Sequence, residues 1–137
     1  MPHFAKTSLE RSLPRIGVDY LHMPELGGLR KPRPDSTNMG WRNVSFRGYA
    51  DHMQTPEFST ALERLAELAA GRRTIVMCAE AVPWRCHRSL IADALTVRGV
   101  EVRHVTGKVD PAAHSLTAFA RVEGGRITYP GPDTLPI

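Results

Sequence analysis

Apolar side chains recur every three or four positions between residues 56 and 71, which is the spacing of one face of an α-helix. Thr55 precedes this run, and Pro56 and Glu57 open it. A threonine cap, a proline at the first helical position and an acidic first turn are typical of a helix start. Gly71 closes the run, as glycine commonly ends helices. The residues on the apolar face are Phe58, Ala61, Leu62, Leu65, Leu68 and Ala69.

Two other segments have helical periodicity. Leu9, Leu13 and Ile16 predict a short helix near the start of the chain. Residues 86–98 predict a longer helix that is closed by Gly99. The inward-facing residues of that helix are Leu90, Ile91, Ala94 and Leu95.

Three segments are rich in strand-forming residues: 18–23, 74–79 and 100–105. The middle segment, TIVMCA, is nearly all apolar, which is typical of a strand buried on both faces of a parallel sheet. Because these strands alternate with helices, the pattern predicts parallel α/β units with right-handed crossovers. Residues 119–129 differ, since two short strand-like runs flank a pair of glycines, which predicts a C-terminal β-hairpin.

The composition indicates one α/β domain over residues 1–137, with a core of its own. Hydrophobic residues make up 42% of the chain and charged residues 23%. The net charge is +4, and arginine side chains suit phosphate and carboxylate groups, so a small anionic ligand or a nucleic acid is a candidate partner. The chain has no dense Lys/Arg run, which favours a mildly basic surface as the alternative.

Hydropathy and the chain start predict a cytoplasmic protein with no membrane partner. No apolar stretch reaches the roughly 18 residues of a membrane helix. The first residues lack the apolar centre of a signal peptide. In a reducing compartment the two cysteines, Cys78 and Cys86, are expected to be free thiols.

Reactive and polar side chains gather where the central predicted strand runs into the following predicted helix. Cys78 and Glu80 lie two positions apart at the strand end, so they face the same side if the strand continues. Cys86, His87 and Arg88 open the helix. Ligands bind beyond the carboxyl ends of parallel strands, and helix N-termini favour anions. This strand-to-helix turn is therefore the candidate site.

Each of these residues has a chemical role open to it and a structural alternative. Glu80 is a candidate general acid or base, and His87 is assigned to the catalytic set with it. Cys86 is a candidate nucleophile, redox thiol or metal ligand, because helix N-termini and nearby cations lower the pKa of a thiol. Arg88 is a candidate clamp for phosphate or carboxylate. In the alternative, Cys78 fills the core while the polar residues only brace the turn.

Residues 24–50 form a long segment that contains four glycines, three prolines and four arginines. Such segments are usually functional or disordered, and the aromatic and arginine content favours function. Glycine lets backbone approach a ligand closely, arginine holds anions, and an aromatic ring stacks on a flat group. The predicted ligand-binding residues of this segment are Gly27, Gly28, Arg30, Arg47 and Tyr49, with Trp41 and Arg42 as weaker candidates.

The histidines outside the motif fall into two groups. His104 lies at the end of the last predicted strand. Strand ends border the ligand-binding edge of a parallel sheet, so His104 is assigned to the ligand-binding set. The remaining histidines are assigned to the surface or the core: His3, His22, His52 and His114.

Four blocks carry a family resemblance: FAK with spaced leucines, YLHMPELGGLR, SFRGYADHM, and CAE-x5-CHR with a later V-x-H-V. Together they resemble the bacterial family called domain of unknown function 488, from Phe4 to about Tyr129. The resemblance implies a three-layer α/β fold and no settled activity. The residues that match the family signature are Glu25, Leu26, Gly27, Gly28, Arg30, Arg47, Tyr49, Cys78, Glu80, Cys86, His87, Arg88 and His104.

The chain departs from that family at its start. Members usually begin with a strand that carries an Asp-Val-Arg-like motif, and this chain starts just after that point. The usual first strand is therefore expected to be missing, unless the start is misplaced or truncated, or another segment or a second subunit replaces the strand. A sheet without an inner strand exposes unpaired backbone groups, so a homo-oligomer is expected.

Three functional hypotheses remain open at this stage. The first is an enzyme that acts on a nucleotide-like or nucleic-acid-derived anionic substrate through the Cys/Glu/Cys-His-Arg pocket. The second is a metal or thiol-redox site at Cys78, Cys86 and His87, whose thiolate and imidazole groups suit zinc or iron. If this metal site does not exist, no cofactor is expected. The third is a non-catalytic module that binds the anion without converting it.

Overall fold

A computed structural model defines the fold for most of the chain. It describes residues 6–28, 30–77, 87–105, 107 and 110–131. Within these residues the protein is mixed α/β, and helices supply most of the regular structure.

Four α-helices occur in the described part of the chain: α1 (Lys6–Ser12), α2 (Val44–His52), α3 (Pro56–Gly71) and α4 (Arg88–Val97). Two short 3₁₀ helices, at Pro14–Ile16 and Pro24–Leu26, lie between α1 and α2. None of the helices described is both long enough and apolar enough to cross a membrane.

The strands of the described residues are short and pair in two antiparallel sheets. β1 (Arg103–His104) pairs with β2 (Ala112–Ala113), and β3 (Arg121–Glu123) pairs with β4 (Arg126–Thr128). The two glycines between β3 and β4 have φ angles of 57° and 78°, the left-handed conformation that a two-residue hairpin turn requires. The predicted C-terminal hairpin is confirmed.

α3 and α4 form the centre of the apolar core, and α3 has its predicted bounds. The Thr55 hydroxyl accepts a hydrogen bond from the backbone N–H of Phe58 at 3.3 Å, which caps the helix start. Most of the predicted apolar face of α3 is buried, although Leu68 is exposed. The other large core residues come from the second 3₁₀ helix, from α2 and α4, and from β4 and the residue after it: Leu26, Tyr49, Leu90, Ile91, Leu95, Ile127 and Tyr129.

The predicted parallel sheet is wrong for the described residues, because every strand pair there is antiparallel. Residues 18–23 and 74–77 are extended or irregular and belong to no sheet with described residues. Ile75 is 76% exposed, so the apolar run is not a strand buried on both faces. The predicted strand 100–105 shortens to β1. An apolar run supplies burial energy, but it becomes a strand only where another strand satisfies its backbone groups.

A buried carboxylate fastens the long segment before α2. Asp51 accepts hydrogen bonds from the Ser36 hydroxyl at 2.6 Å, the Asn38 side-chain amide at 2.7 Å and the Arg33 backbone N–H at 2.8 Å. Asn38 in turn accepts a hydrogen bond from the backbone N–H of Tyr129 at 2.9 Å. The segment is therefore held to α2 and to the C-terminal hairpin.

Candidate functional site

The N-terminus of α4 carries His87 as its cap residue and Arg88 as its first helical residue. The His87 carbonyl accepts hydrogen bonds from the backbone N–H groups of Leu90 and Ile91 at 3.0 and 3.1 Å, which start the helix. The His87 ring packs against Tyr49, with 4.9 Å between the ring centroids. The first turn of α4 contains no acidic residue, so the helix dipole and the Arg88 guanidinium both favour an anion here.

One of the predicted glycines lies directly against the His87 ring. A Cβ atom built at Gly28 would be 3.0 Å from His87 Nδ1 and 3.3 Å from its Cε1. These distances are shorter than ordinary van der Waals contacts, so a larger residue would push the ring aside. The structure therefore brings Gly28, His87 and Tyr49 together, three of the residues that the sequence singled out.

α2 anchors the loop that contains these glycines. The Tyr49 hydroxyl donates a hydrogen bond to the Leu26 carbonyl oxygen at 2.8 Å. His52 Nε2 lies 2.7 Å from the Glu25 carbonyl oxygen. Both contacts are to backbone atoms of the 3₁₀ helix Pro24–Leu26, so α2 sets the position of the loop relative to α4.

Arg30 and Arg47, which were predicted to bind an anion, both donate to backbone carbonyls. Arg30 Nε donates to the Gly27 oxygen at 3.2 Å, and an Arg30 terminal nitrogen donates to the Pro24 oxygen at 3.1 Å. Arg47 Nε donates to the Trp41 oxygen at 3.1 Å. These bonds make both arginines braces of the long segment.

The aromatic rings considered for stacking belong to the core. Tyr49 is 1% exposed. Trp41 contacts Phe46, Phe119 and Tyr129, with centroid distances of 5.1, 4.8 and 5.4 Å. Their contacts contribute to packing.

His104 lies on β1 and is half-buried. Its Nε2 is 2.7 Å from Nδ1 of His114, and Nε2 of His114 is 2.7 Å from Oδ1 of Asp93. We call these three residues the His–His–Asp chain. Burial lowers the pKa of His104, and the charges of His114 and Arg88 lower it further against the opposing charge of Asp93. His104 is therefore neutral at neutral pH and lies within electrostatic reach of Arg88.

Asp93 is fully buried within α4 and accepts hydrogen bonds from several directions. Thr117 donates its backbone N–H to Oδ1 at 3.0 Å and its hydroxyl to Oδ2 at 2.7 Å. The Tyr129 hydroxyl donates to Oδ2 at 2.7 Å. Together with the His114 contact, these bonds satisfy a carboxylate that would otherwise be very costly to bury.

Tyr129 makes the stability sensitive to alkaline pH. Burial, and then the charge and hydrogen bond of Asp93, raise the pKa of Tyr129. The folded state therefore holds this proton more tightly than the unfolded chain, so the contribution is complete below about pH 10 and is lost as the pH rises past that value. We expect the free energy of unfolding, measured in urea, to fall more steeply above about pH 10 in the wild type than in Tyr129→Phe.

Tyr20→Phe is the control for that measurement, since no hydrogen bond joins Tyr20 to a buried carboxylate among the described residues. It should keep the steep alkaline slope of the wild type. Identical slopes in the wild type and Tyr129→Phe would contradict the assignment to Tyr129.

Three predicted site residues, Cys78, Glu80 and Cys86, lie outside the described residues. Their roles as strand-end thiol, acid or base, and nucleophile therefore stay predictions. Among the described residues, no group of three or more His, Cys, Asp or Glu side chains is arranged to hold a metal ion. The zinc or iron hypothesis depends on the two cysteines together with His87, and it too stays a prediction.

Most of the network behind His104 was not predicted from the sequence. No local pattern singled out Asp93, Thr117 or Tyr129, and His114 was assigned to the surface or the core. One signal was available, since Asp93 falls within the apolar stretch of the predicted helix 86–98, where a charge needs buried partners. Those partners lie 21 to 36 positions further along the chain, which no local spacing reveals.

The described residues define a class: a mixed α/β protein in which His87 and Arg88 open a largely buried helix. The chain belongs to the family described as Domain of unknown function DUF488, whose family model matches residues 1–95. The predicted resemblance is thus confirmed. The match includes Asp93 and ends before His104 and His114. No curated protein and no solved structure matches the chain.

Proposed function

We propose that this protein is a small enzyme that binds a phosphate-bearing, nucleotide-like substrate at the N-terminus of α4 and accepts a proton through His104. The observation that carries the proposal is the His–His–Asp chain, which joins the half-buried His104 ring through His114 to Asp93 on α4, the helix that Arg88 opens. Burial and the charge of Arg88 lower the pKa of His104. A cation suits anion binding, and a neutral imidazole suits proton transfer.

The anion-binding part of the proposal is supported by the start of α4. The dipole of this ten-residue helix favours negative charge at its start. Arg88 adds a full positive charge with a forked set of donors that matches phosphate. Gly28 keeps the adjacent loop close to His87 without a side chain between them.

The proton-transfer part of the proposal is supported by the state of His104. A general base must be unprotonated at working pH, and the lowered pKa of His104 provides that. The partner at its Nε2 orients the ring, as the orienting residue does in catalytic triads. His104 would take a proton from a water or hydroxyl group as that group attacks the bound phosphate ester.

The chemistry of the ligand follows from what is present around the site. Tyr49 is buried and Trp41 contacts three aromatic rings, so we assign recognition to the phosphate group and not to stacking of a base. Glu80 and Cys86, which lie outside the described residues, keep their proposed roles as acid or base and as nucleophile. The substrate class is therefore a phosphate monoester or a nucleotide.

Isothermal calorimetry of Arg88→Ala tests the binding step, with inorganic phosphate and a nucleoside monophosphate as probes. Loss of a charge-assisted hydrogen bond costs about 1.5–3 kcal/mol, so we expect Kd to rise tenfold or more for both probes. Arg126→Ala is the matched control, because Arg126 is exposed on β4 beside the C-terminal half of α4. It should change Kd by less than about twofold.

Equal weakening in both variants would mean a diffuse charge effect and would reject a site at α4. Absence of binding by the wild type at millimolar phosphate would reject it as well. Thermal unfolding of both variants shows whether they are folded, and Arg88→Lys, which keeps the charge, should retain part of the affinity.

A non-catalytic binding module is the alternative, and His104→Gln separates it from an enzyme. Glutamine keeps a donor for Nδ1 of His114 but is no base. An enzyme predicts that this variant still binds phosphate while conversion of the nucleoside monophosphate, followed by ³¹P NMR, is lost. If the wild type binds the nucleotide and converts none of it, the binding module is the better description.

A further inference from the structure

We propose that the proton taken up at this site rests on His114 and not on His104, so that His114 and Asp93 form a proton store behind the half-buried His104 ring. The inference rests on the proposed function for its use in catalysis, since it assigns the proton path of the same site. It makes His114 a positioning residue that acts through His104 and touches no substrate.

The hydrogen bonds to Asp93 set the direction of the whole chain. Its oxygens accept from the Thr117 backbone N–H, the Thr117 hydroxyl and the Tyr129 hydroxyl. These donors satisfy an ionised carboxylate, which is an acceptor only. The remaining contact, at 2.7 Å from Nε2 of His114, is therefore an N–H of His114 that donates to Oδ1.

The tautomers of both imidazoles follow from that direction. A neutral His114 with its hydrogen on Nε2 has a lone pair on Nδ1. Nδ1 of His114 then accepts a hydrogen bond from Nε2–H of His104 across 2.7 Å. His104 therefore keeps its lone pair on Nδ1, so the proton-accepting atom of the site is Nδ1 of His104.

Proton uptake then moves two protons in the same direction. An incoming proton bonds to Nδ1 of His104, and the electron pair of the bond it leaves stays on the donor oxygen. The Nε2–H bond of His104 breaks with its electron pair left on Nε2, and that proton bonds to Nδ1 of His114. The products are a neutral His104 with its hydrogen on Nδ1 and a His114 imidazolium that still donates to Asp93.

The charges around the two rings decide where the proton stays. A cation on His104 would be repelled by the like charge of Arg88 and would be partly withdrawn from water. A cation on His114 faces the Asp93 carboxylate at 2.7 Å, and both of those side chains are buried, 7% and 0% exposed. Opposite charges at this distance attract more strongly where water is excluded. Tyr129 keeps its proton and adds no charge to the group.

Imidazole ¹⁵N NMR of the ligand-free protein tests the proton store between about pH 8 and pH 5, where histidines titrate. We expect both ring nitrogens of His114 to take the imidazolium signature as the pH falls. His104 should stay neutral while its hydrogen moves from Nε2 to Nδ1. The exposed His22 serves as the reference for an ordinary histidine. An imidazolium signature on His104 with a neutral His114 would overturn the proposal.

Two variants keep the test decisive. Asp93→Asn removes the negative charge, and His114 should then stay neutral over the same pH range. His104→Gln is the less disruptive variant, because glutamine retains a donor to Nδ1 of His114. His114 should still become imidazolium in this variant, and a neutral His114 ring at pH 5 would reject the proton store. The NMR experiment uses no substrate, so the two proposals can fail separately. Absence of phosphate binding by the wild type in calorimetry would reject the proposed function alone. An imidazolium on His104 would reject the proton store alone.

Discussion

Asp93→Asn is expected to lower the free energy of unfolding by about 3 kcal/mol, because removal of one partner from a buried charged network leaves the others uncompensated. Asparagine has nearly the same size, so the packing of α4 is preserved and the effect isolates the charge. An amide nitrogen in the place of Oδ1 would face two N–H donors, the Thr117 backbone and His114. In the place of Oδ2 it would force the Thr117 and Tyr129 hydroxyls to turn from donating to accepting. Each unsatisfied donor adds to the cost.

Urea denaturation at neutral pH, followed by circular dichroism, measures this loss as a lower midpoint with an unchanged slope. Asp110→Asn is the matched control, since Asp110 is exposed and the substitution is the same. Exposed substitutions of this kind stay within about 0.5 kcal/mol. A similarly small change in Asp93→Asn would show that Asp93 is not a buried, ionised acceptor.

Gly48→Ala is expected to lower the free energy of unfolding by about 3 kcal/mol through overpacking. A Cβ atom at Gly48 would clash with the Arg30 carbonyl oxygen, and would lie 2.6 Å from the Arg30 carbonyl carbon and 2.8 Å from that of Lys31. All three are backbone atoms, so no side-chain rotation relieves the clash. α2 and the backbone of residues 30 and 31 must therefore move apart. This movement also weakens the hydrogen bond by which Tyr49 holds the loop beside His87.

The same denaturation experiment checks this loss, and Gly71→Ala is the matched control. Gly71 ends α3, a methyl group added there would have no atom within 4 Å, and its φ angle is not positive. Alanine is preferred to glycine in helices by about 0.5–1 kcal/mol, so Gly71→Ala should be neutral or slightly stabilising. An equal effect of both substitutions would mean that the close approach at Gly48 has no energetic weight.

Local patterns predicted the elements whose cause is local. α3 has its predicted bounds because its cap, its proline and its apolar spacing all lie within 17 residues. The hairpin turn follows from two adjacent glycines that adopt positive φ angles. The family signature likewise marked Gly28, Tyr49 and His87, which the structure brings into contact.

The prediction of a parallel sheet was wrong for a different reason. The run 74–77 has the composition of a buried strand, yet Ile75 and Met77 are exposed, since composition states what would be favourable to bury and not which strand lies alongside. β1 pairs with β2 across a separation of about ten residues, a partner that the apolar pattern did not identify.

The sequence by itself determined the bounds of α3, the position of the hairpin turn, and that a histidine and an arginine open α4. Only the tertiary structure decided that hydrogen bonds link His104 through His114 to Asp93. It also decided that Thr117 and Tyr129 donate the other hydrogen bonds to the Asp93 carboxylate. The physical reason is distance along the chain. Capping and periodicity act over a few residues, whereas a buried charge is satisfied by whatever donors the folded chain brings to it from far away.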